Sequence, residues 1–239
     1  MSSFKLIILK VCVSLATDSV SKLSDLIGTA IQRGADYVEI RFDHTIYKDI
    51  DNALEISRKI KNRAIFTLRS KDEGGFFEGK IDERISLLKK IGSIKPMLLD
   101  IEISTLKKYT GLRKFLKDEK IPILVSSHDF KTTPRTSSLL SIFQEMRKYS
   151  NYVKLVTMAR NSEDNIRVLS LYDKIVNTHL IAFAMGEHGI LSRLLCTLYG
   201  GSPFTYASLD RSLAPGQLDV RLMKKIYERI AKNLKIDEC

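Results

Sequence analysis

The sequence predicts an α/β fold: a single (β/α)8 TIM barrel with eight parallel strands, filling residues 1–239 as one domain. Apolar runs rich in β-forming residues alternate with amphipathic helical stretches, and these runs number eight. The chain of 239 residues has a common length for one such barrel. A doubly wound open sheet shows the same alternation, so closure is inferred from the strand count. No GxGxxG or P-loop motif follows a strand, which weakens the open-sheet alternative.

The predicted strands are near-continuous apolar runs, which are typical of a parallel sheet covered on both faces. The intervening segments have helical periodicity, and Pro134 and Pro215 lie near the expected starts of two helices. The predicted strands are Leu6–Leu15, Tyr37–Phe42, Ala64–Arg69, Met97–Ile103, Pro122–His128, Tyr152–Ala159, His179–Gly186 and Phe204–Ser208.

The charge and cysteine content narrow the possible classes of protein. Lysine and arginine number 39 against 28 acidic residues, for a net charge of +11. Such a charge suits nucleic acid, an anionic membrane surface or acidic small molecules, but the basic residues are spread along the chain and favour an ordinary basic surface over a nucleic-acid footprint. No window approaches the roughly 18 apolar residues of a membrane span. Three widely spaced cysteines, without metal-ligand spacing, indicate a reducing compartment, and we expect a cytoplasmic protein.

Polar residues are concentrated where the predicted strands end. In a parallel barrel these carboxyl ends build the active site, and residues two apart on a strand point to the same side. Each residue alone has an ordinary explanation, such as a surface salt bridge, but together their side chains could converge inside the rim. They are Ser14, Glu39, Arg41, Arg69, Asp100, Glu102 and His128.

Lys154 stands in the middle of the apolar sixth strand. Burial there would leave its ammonium poorly solvated and favour the neutral amine. A lysine that extends to solvent, or one paired with a buried carboxylate, is the ordinary alternative. If Lys154 shares one barrel interior with Arg41, Arg69 and His128, a neutral amine beside a histidine would suit imine chemistry on a ketone or aldehyde.

Two residues from later segments could complete such a site. Arg193 lies where the seventh helix should begin, and a guanidinium there can bind a carboxylate through two parallel hydrogen bonds. Gln217 follows Ala214-Pro215-Gly216 at the expected start of the last helix. This stretch predicts either a mobile loop over the mouth of the barrel or a plain turn, and the residues alone do not decide between them.

An ordered set of stretches resembles the type I 3-dehydroquinate dehydratases of the shikimate pathway, which leads to chorismate and the aromatic amino acids. The stretches occur in the family's order, span nearly the whole chain and are specific only in combination. They are Val38–His44, Phe66–Ser70, Glu73–Gly75, Ser127–Phe130, Val153–Val156, Ile190–Arg193 and Ala214–Gln217.

The resemblance implies a (β/α)8 barrel that dehydrates 3-dehydroquinate to 3-dehydroshikimate through a Schiff base. It implies no metal and no cofactor, a small-molecule substrate rather than nucleic acid or membrane, and a homodimer. Lys154 would form the imine, His128 would move the proton, and Glu73 would orient His128. The substrate-binding residues would be Ser14, Glu39, Arg41, Arg69, Arg193 and Gln217.

The sequence departs from the family pattern at two positions and leaves two other functions open. Leu213 stands where the family often has a hydroxyl residue, with Ser212 beside it, and Ala159 follows Met158 where many relatives have proline. A class I aldolase would share the lysine. A non-catalytic anion- or nucleic-acid-binding protein would use the positive charge, but its arginines should cluster on an exposed face rather than inside a barrel.

Overall fold

A computed structural model describes residues 9–44, 46–199 and 201–234. Its strands all pair in parallel within one sheet. They are β1 (Val11–Leu15), β2 (Tyr37–Arg41), β3 (Ala64–Thr67), β4 (Leu98–Glu102), β5 (Ile123–His128), β6 (Tyr152–Met158), β7 (His179–Met185) and β8 (Thr205–Ala207).

The sheet curls into a nearly closed barrel. The strand order is β7-β6-β5-β4-β3-β2-β1-β8, so the first strand pairs with both the second and the eighth. No ladder joins β7 to β8 within the described residues, but the rings of Phe183 and Tyr206 lie 6.1 Å apart across this seam. The predicted fold class is therefore confirmed, with closure at the seam made by side chains.

Helices connect successive strands, as right-handed parallel crossovers require. The first buries Leu23, Ile27 and Ala30, which lie on the face that the sequence period predicts. None of the helices in the described ranges is long and apolar enough to cross a membrane. The helices are α1 (Leu23–Gln32), α2 (Ile50–Arg58), α3 (Ile81–Gly92), α4 (Ile103–Lys108), α5 (Thr110–Asp118), α6 (Thr136–Arg147), α7 (Glu163–Leu169), α8 (Leu171–Lys174), α9 (Ile190–Leu198) and α10 (Val220–Leu234).

The observed strands coincide with the predicted ones but are shorter. Residues 6–8 of the first predicted strand lie outside the described residues, and pairing begins at Val11. At six of the eight carboxyl ends the strand stops one or two residues before the predicted end. Arg69, for example, lies two residues beyond the end of β3. It still lines the cavity at the barrel mouth.

Candidate active site

One cavity at the carboxyl ends of the strands brings together all nine residues predicted to act in a site. Its volume is about 70 Å³. The nine are Ser14, Glu39, Arg41, Arg69, Glu73, His128, Lys154, Arg193 and Gln217, and the remaining lining residues are Gly74, Phe130, Val156, Phe183, Met185, Tyr206, Leu213 and Ala214.

Lys154 lies at the floor of this cavity and is only 5% exposed. Its Nζ atom lies 3.3 Å from Glu39 Oε1 and 3.3 Å from Asp100 Oδ2, and 4.0 Å from the centre of the Tyr206 ring. The predicted burial of this lysine is confirmed. The structure also realises one of the ordinary alternatives, because two buried carboxylates contact the amine directly.

Glu39 links the lysine to the first and third strands. Ser14 donates a 2.7 Å hydrogen bond to Oε2, and Thr67 donates a 2.9 Å hydrogen bond to Oε1. Burial would raise the pKa of Glu39, but Lys154 and Arg41 outweigh burial and hold the pKa below its usual value. The side chain is thus a fixed anion under the cavity.

Arg69 belongs to a buried ion network. Its guanidinium donates to Asp100 Oδ2 at 2.7 Å, to Glu102 Oε1 at 3.2 Å and to Ser126 Oγ at 2.7 Å. Burial would raise the pKa of Asp100, but Arg69 and Lys154 hold it below its usual value. As predicted from their spacing, Asp100 and Glu102 point to the same side. The arginine lines the cavity while three protein groups fix its position.

His128 ends β5 and is paired with Glu73 from the loop after β3. His128 Nδ1 lies 3.0 Å from Glu73 Oε2, and the His128 backbone N–H donates to the same oxygen at 3.1 Å. Burial, with Arg69 and Lys154 nearby, lowers the pKa of His128 well below its usual value. Burial and the carboxylate of Glu102 raise the pKa of Glu73 to about 7. The imidazole is therefore neutral at pH 7, and its other nitrogen is free of this contact.

Arg41 is also held by a carboxylate, but not the one two residues before it. Its Nε and Nη2 atoms donate to the two oxygens of Asp43 at 2.8 and 2.7 Å. Asp43 is fully buried. This forked contact fixes the guanidinium at the cavity wall and leaves Glu39 to the lysine.

Arg193 differs from the other two arginines because no described carboxylate pairs with it. It is 1% exposed in α9, its Nη2 donates to the carbonyl of Pro215 at 3.3 Å, and its guanidinium lies 4.3 Å from the centre of the Phe183 ring. Its buried Nε has no hydrogen-bond partner among the described residues. Burial lowers the pKa of Arg193 to about 10. A buried guanidinium without a counter-charge is a strong binding position for an anion.

Gln217 lies in the loop before α10 and not at the helix start, which corrects the prediction. The helix begins at Val220, because the chain first makes a tight turn whose amides donate to Gln217 Oε1 from Leu213 at 2.8 Å and Ala214 at 3.2 Å. Leu213 presents an apolar side chain to the cavity. The neighbouring Ser212 hydroxyl donates to the Ala214 carbonyl at 2.6 Å within the turn.

This turn packs tightly against the loop that follows β7. The Gly186 N–H donates to the Pro215 carbonyl at 3.1 Å, and a side chain at Gly216 would meet the Gly186 carbonyl oxygen at 2.3 Å. Gly216 also has a φ of +74°, which favours glycine. The stretch is therefore an ordered cover on the cavity in this structure, and its movement stays a prediction.

Sequence reasoning missed the apolar lining and one polar contact. Phe183 and Met185 alternate on β7, and Tyr206 lies on β8 in register with Cys12. Their apolar character resembled ordinary core. Asp100 was noticed as a strand-end residue but was not predicted to contact Lys154. Among the described residues, no group of three His, Cys, Asp or Glu side chains is placed to hold a metal ion.

Comparison with known proteins gives a consistent result. The family model for type I 3-dehydroquinase matches residues 11–234. The chain is 38% identical to a 3-dehydroquinate dehydratase of Dehalococcoides mccartyi over 82% of this chain and 87% of that protein, and 36% identical to one from Pyrococcus abyssi over 86% and 94%. The crystal structure of a 3-dehydroquinate dehydratase from Geobacillus kaustophilus superposes with a TM-score of 0.83 at 24% identity, over 94% of this chain and 91% of that one, which shows the shared fold. The chain therefore belongs to the type I 3-dehydroquinase family.

Proposed function

We propose that this chain dehydrates 3-dehydroquinate to 3-dehydroshikimate through a Schiff base on Lys154. The observation that carries the proposal is one small cavity holding a buried primary amine, a neutral histidine and a buried arginine that no carboxylate of the described residues pairs with. The substrate has a ketone, a carboxylate and a hydroxyl that must leave. These three groups match the amine, the arginine and the histidine.

Imine formation begins when the neutral form of the Lys154 amine attacks the C3 ketone. The nitrogen lone pair forms the C–N bond, the carbonyl electrons move to oxygen, and that oxygen leaves as water after protonation. The product is an iminium cation with a single N–H. Its positive charge acidifies the C2–H bond, because the electrons released there can move into the C–N unit.

Elimination then requires a base at C2 and an acid at the C1 hydroxyl. A neutral His128 can take the C2 proton on Nε2 while Nδ1 donates to Glu73, whose ionised form stabilises the resulting imidazolium. The same proton can then pass to the departing C1 hydroxyl, which leaves as water. Hydrolysis of the conjugated iminium regenerates Lys154 and releases the product.

The remaining residues suit binding roles. Arg193 can take the substrate carboxylate in forked geometry, since its Nε has no partner within the described part of the chain and its Nη2 makes one long contact. Arg41 and Arg69 are anchored by protein carboxylates and offer fixed positive charge to the substrate oxygens. Gln217 uses Oε1 within its own turn, which leaves its amide nitrogen for the substrate.

Turnover of 3-dehydroquinate by the purified protein tests the reaction itself. We expect the conjugated absorbance of the product to appear without any added metal or second substrate, and the product mass to be lower than the substrate mass by one water. Carbon–carbon cleavage products would instead support the aldolase alternative.

The pH dependence of kcat/KM should report the ionisation of the Glu73–His128 pair. Protonated Glu73 would donate to Nδ1, so that Nε2 carries the hydrogen and cannot accept a proton. With a Glu73 pKa of about 7, activity should fall as the pH drops through 7. In Glu73→Gln the amide cannot ionise, so the acidic limb of the pH profile should move below pH 6.5, toward the lowered pKa of His128. The maximal rate should also fall. A limb that stays near 7 in Glu73→Gln would contradict this role.

Substitution of Arg193 should weaken binding more than chemistry. We expect Arg193→Lys to raise KM about 10-fold and Arg193→Met about 100-fold, because the first loses the forked geometry and the second also loses the charge. Steady-state kinetics, with near-UV circular dichroism as the folding check, measures this. An unchanged KM in both variants would remove Arg193 from the carboxylate site.

The homodimer and the cytoplasmic location stay predictions. Leu191 and Leu195 of α9, with Tyr199 just after it, are exposed, lie four residues apart and support a contact surface. Light scattering of the purified protein would measure its oligomeric state.

A further inference from the structure

Tyr206 is an aromatic residue of the cavity that the reaction steps above leave unused. It lies in β8 and is 2% exposed, with its backbone in register with Cys12 of β1. Its ring packs edge-on against Phe204 at 5.7 Å and against Phe183 at 6.1 Å. The ring is therefore held in one orientation by neighbours on both sides of the barrel seam.

The face of this ring is directed at the reacting nitrogen. Lys154 Nζ lies 4.0 Å from the ring centre, which is well within the distance of a cation–π contact. Glu39 and Asp100 contact the same nitrogen at 3.3 Å each. Three electron-rich groups thus surround one buried nitrogen.

The hydroxyl of Tyr206 does not anchor the side chain. It is buried and has no hydrogen-bond partner among the described residues. A buried hydroxyl without a partner lowers stability, so this group is not what holds the ring in place. The aromatic face is therefore the part of Tyr206 that can act on the nitrogen.

Imine formation changes what the three neighbours of the nitrogen can do. An ammonium has three N–H donors and can bond both carboxylates at once, whereas an iminium formed on Lys154 retains the positive charge but only one N–H. At least one of the two carboxylate hydrogen bonds is then lost. A cation–π contact needs charge and not an N–H donor, so the ring can continue to stabilise the cation.

We propose that Tyr206 is a catalytic residue whose ring face stabilises the iminium cation on Lys154. This inference rests on the proposed Schiff-base reaction and adds a group that stabilises its charged intermediate. It assigns no role to the phenolic hydroxyl.

The test uses variants made in the His128→Ala protein, in which the imine forms but elimination is slow. Borohydride reduction in the presence of 3-dehydroquinate converts the imine to a stable adduct, and mass spectrometry of the intact protein gives the fraction of chains modified. Tyr206→Phe keeps the ring face, and Tyr206→Leu removes it. Tyr37→Leu is the matched control, since it removes a ring that packs on Phe204 at 5.4 Å but does not line the cavity.

We expect the imine equilibrium constant of Tyr206→Phe to equal that of the parent, and that of Tyr206→Leu to fall by roughly 10-fold or more. Tyr37→Leu should lower the melting temperature without changing this constant. Equal adduct formation in Tyr206→Leu and the parent would overturn the inference. So would an equal loss in Tyr206→Phe and Tyr206→Leu, which would place the effect in the hydroxyl. Absence of any adduct in the wild-type protein as well as in the parent would instead contradict the Schiff base itself.

Discussion

Lys154→Arg is expected to lose turnover by on the order of 10⁴-fold or more, the scale of effect seen when a covalent nucleophile is removed. Arginine keeps a positive charge between Glu39 and Asp100 but cannot act as an amine nucleophile at neutral pH. Arginine is chosen because it keeps the positive charge at this position. Lys154→Met would leave buried Glu39 without its paired cation, while Asp100 would keep Arg69, and should cost about 3–5 kcal/mol of stability.

The control for this variant is a lysine paired with a carboxylate elsewhere. Lys224 in α10 contacts Asp36 at the amino end of β2, opposite the cavity, so Lys224→Arg should retain full turnover. Turnover is measured by appearance of the conjugated product, and thermal melting checks the fold. A folded Lys154→Arg protein with substantial activity would contradict covalent catalysis by this residue.

His128→Asn is expected to reduce kcat by about 10²- to 10⁴-fold while imine formation survives. The asparagine amide can still donate near Glu73, as Nδ1 of the histidine does, but it offers no basic nitrogen to the cavity. The imine should therefore accumulate, because its C2 proton is no longer removed.

His179→Asn provides the matched control, since His179 is exposed at the start of β7 and stacks on Tyr152. It should turn over normally. Both variants are followed by steady-state kinetics and by reductive trapping. Unimpaired elimination in His128→Asn would refute its role in proton transfer, and loss of trapping would show that His128 acts earlier, in imine formation.

The polar members of the cavity were predictable from sequence, whereas most of the pairing among them was not. Strand alternation and the shared carboxyl edge of a parallel barrel were enough to place Glu39, Arg41, His128 and Lys154 around one cavity. Which side chains touch depends on barrel curvature and register. Glu39 and Arg41 lie two residues apart on β2, yet the fold pairs Arg41 with Asp43.

Two further features escaped sequence reasoning for identifiable reasons. Gln217 was expected at a helix start, but a parallel bridge between Ser208 and Asp219 extends the loop to the residue before Val220. Tyr206 resembled core because it is an apolar-facing residue on a short strand. Its ring reaches Lys154 because the barrel closes and brings β8 against β7, two strands from β6.

The most direct test of the central claim is borohydride reduction of the wild-type protein in the presence of 3-dehydroquinate, followed by peptide mass analysis. We predict a reduced adduct on the peptide that contains Lys154 and no adduct when borohydride is added without substrate. The adduct should also be absent in Lys154→Arg. An adduct on another lysine, or rapid turnover in a protein that never yields an adduct, would contradict the assignment of Lys154 as the covalent catalyst.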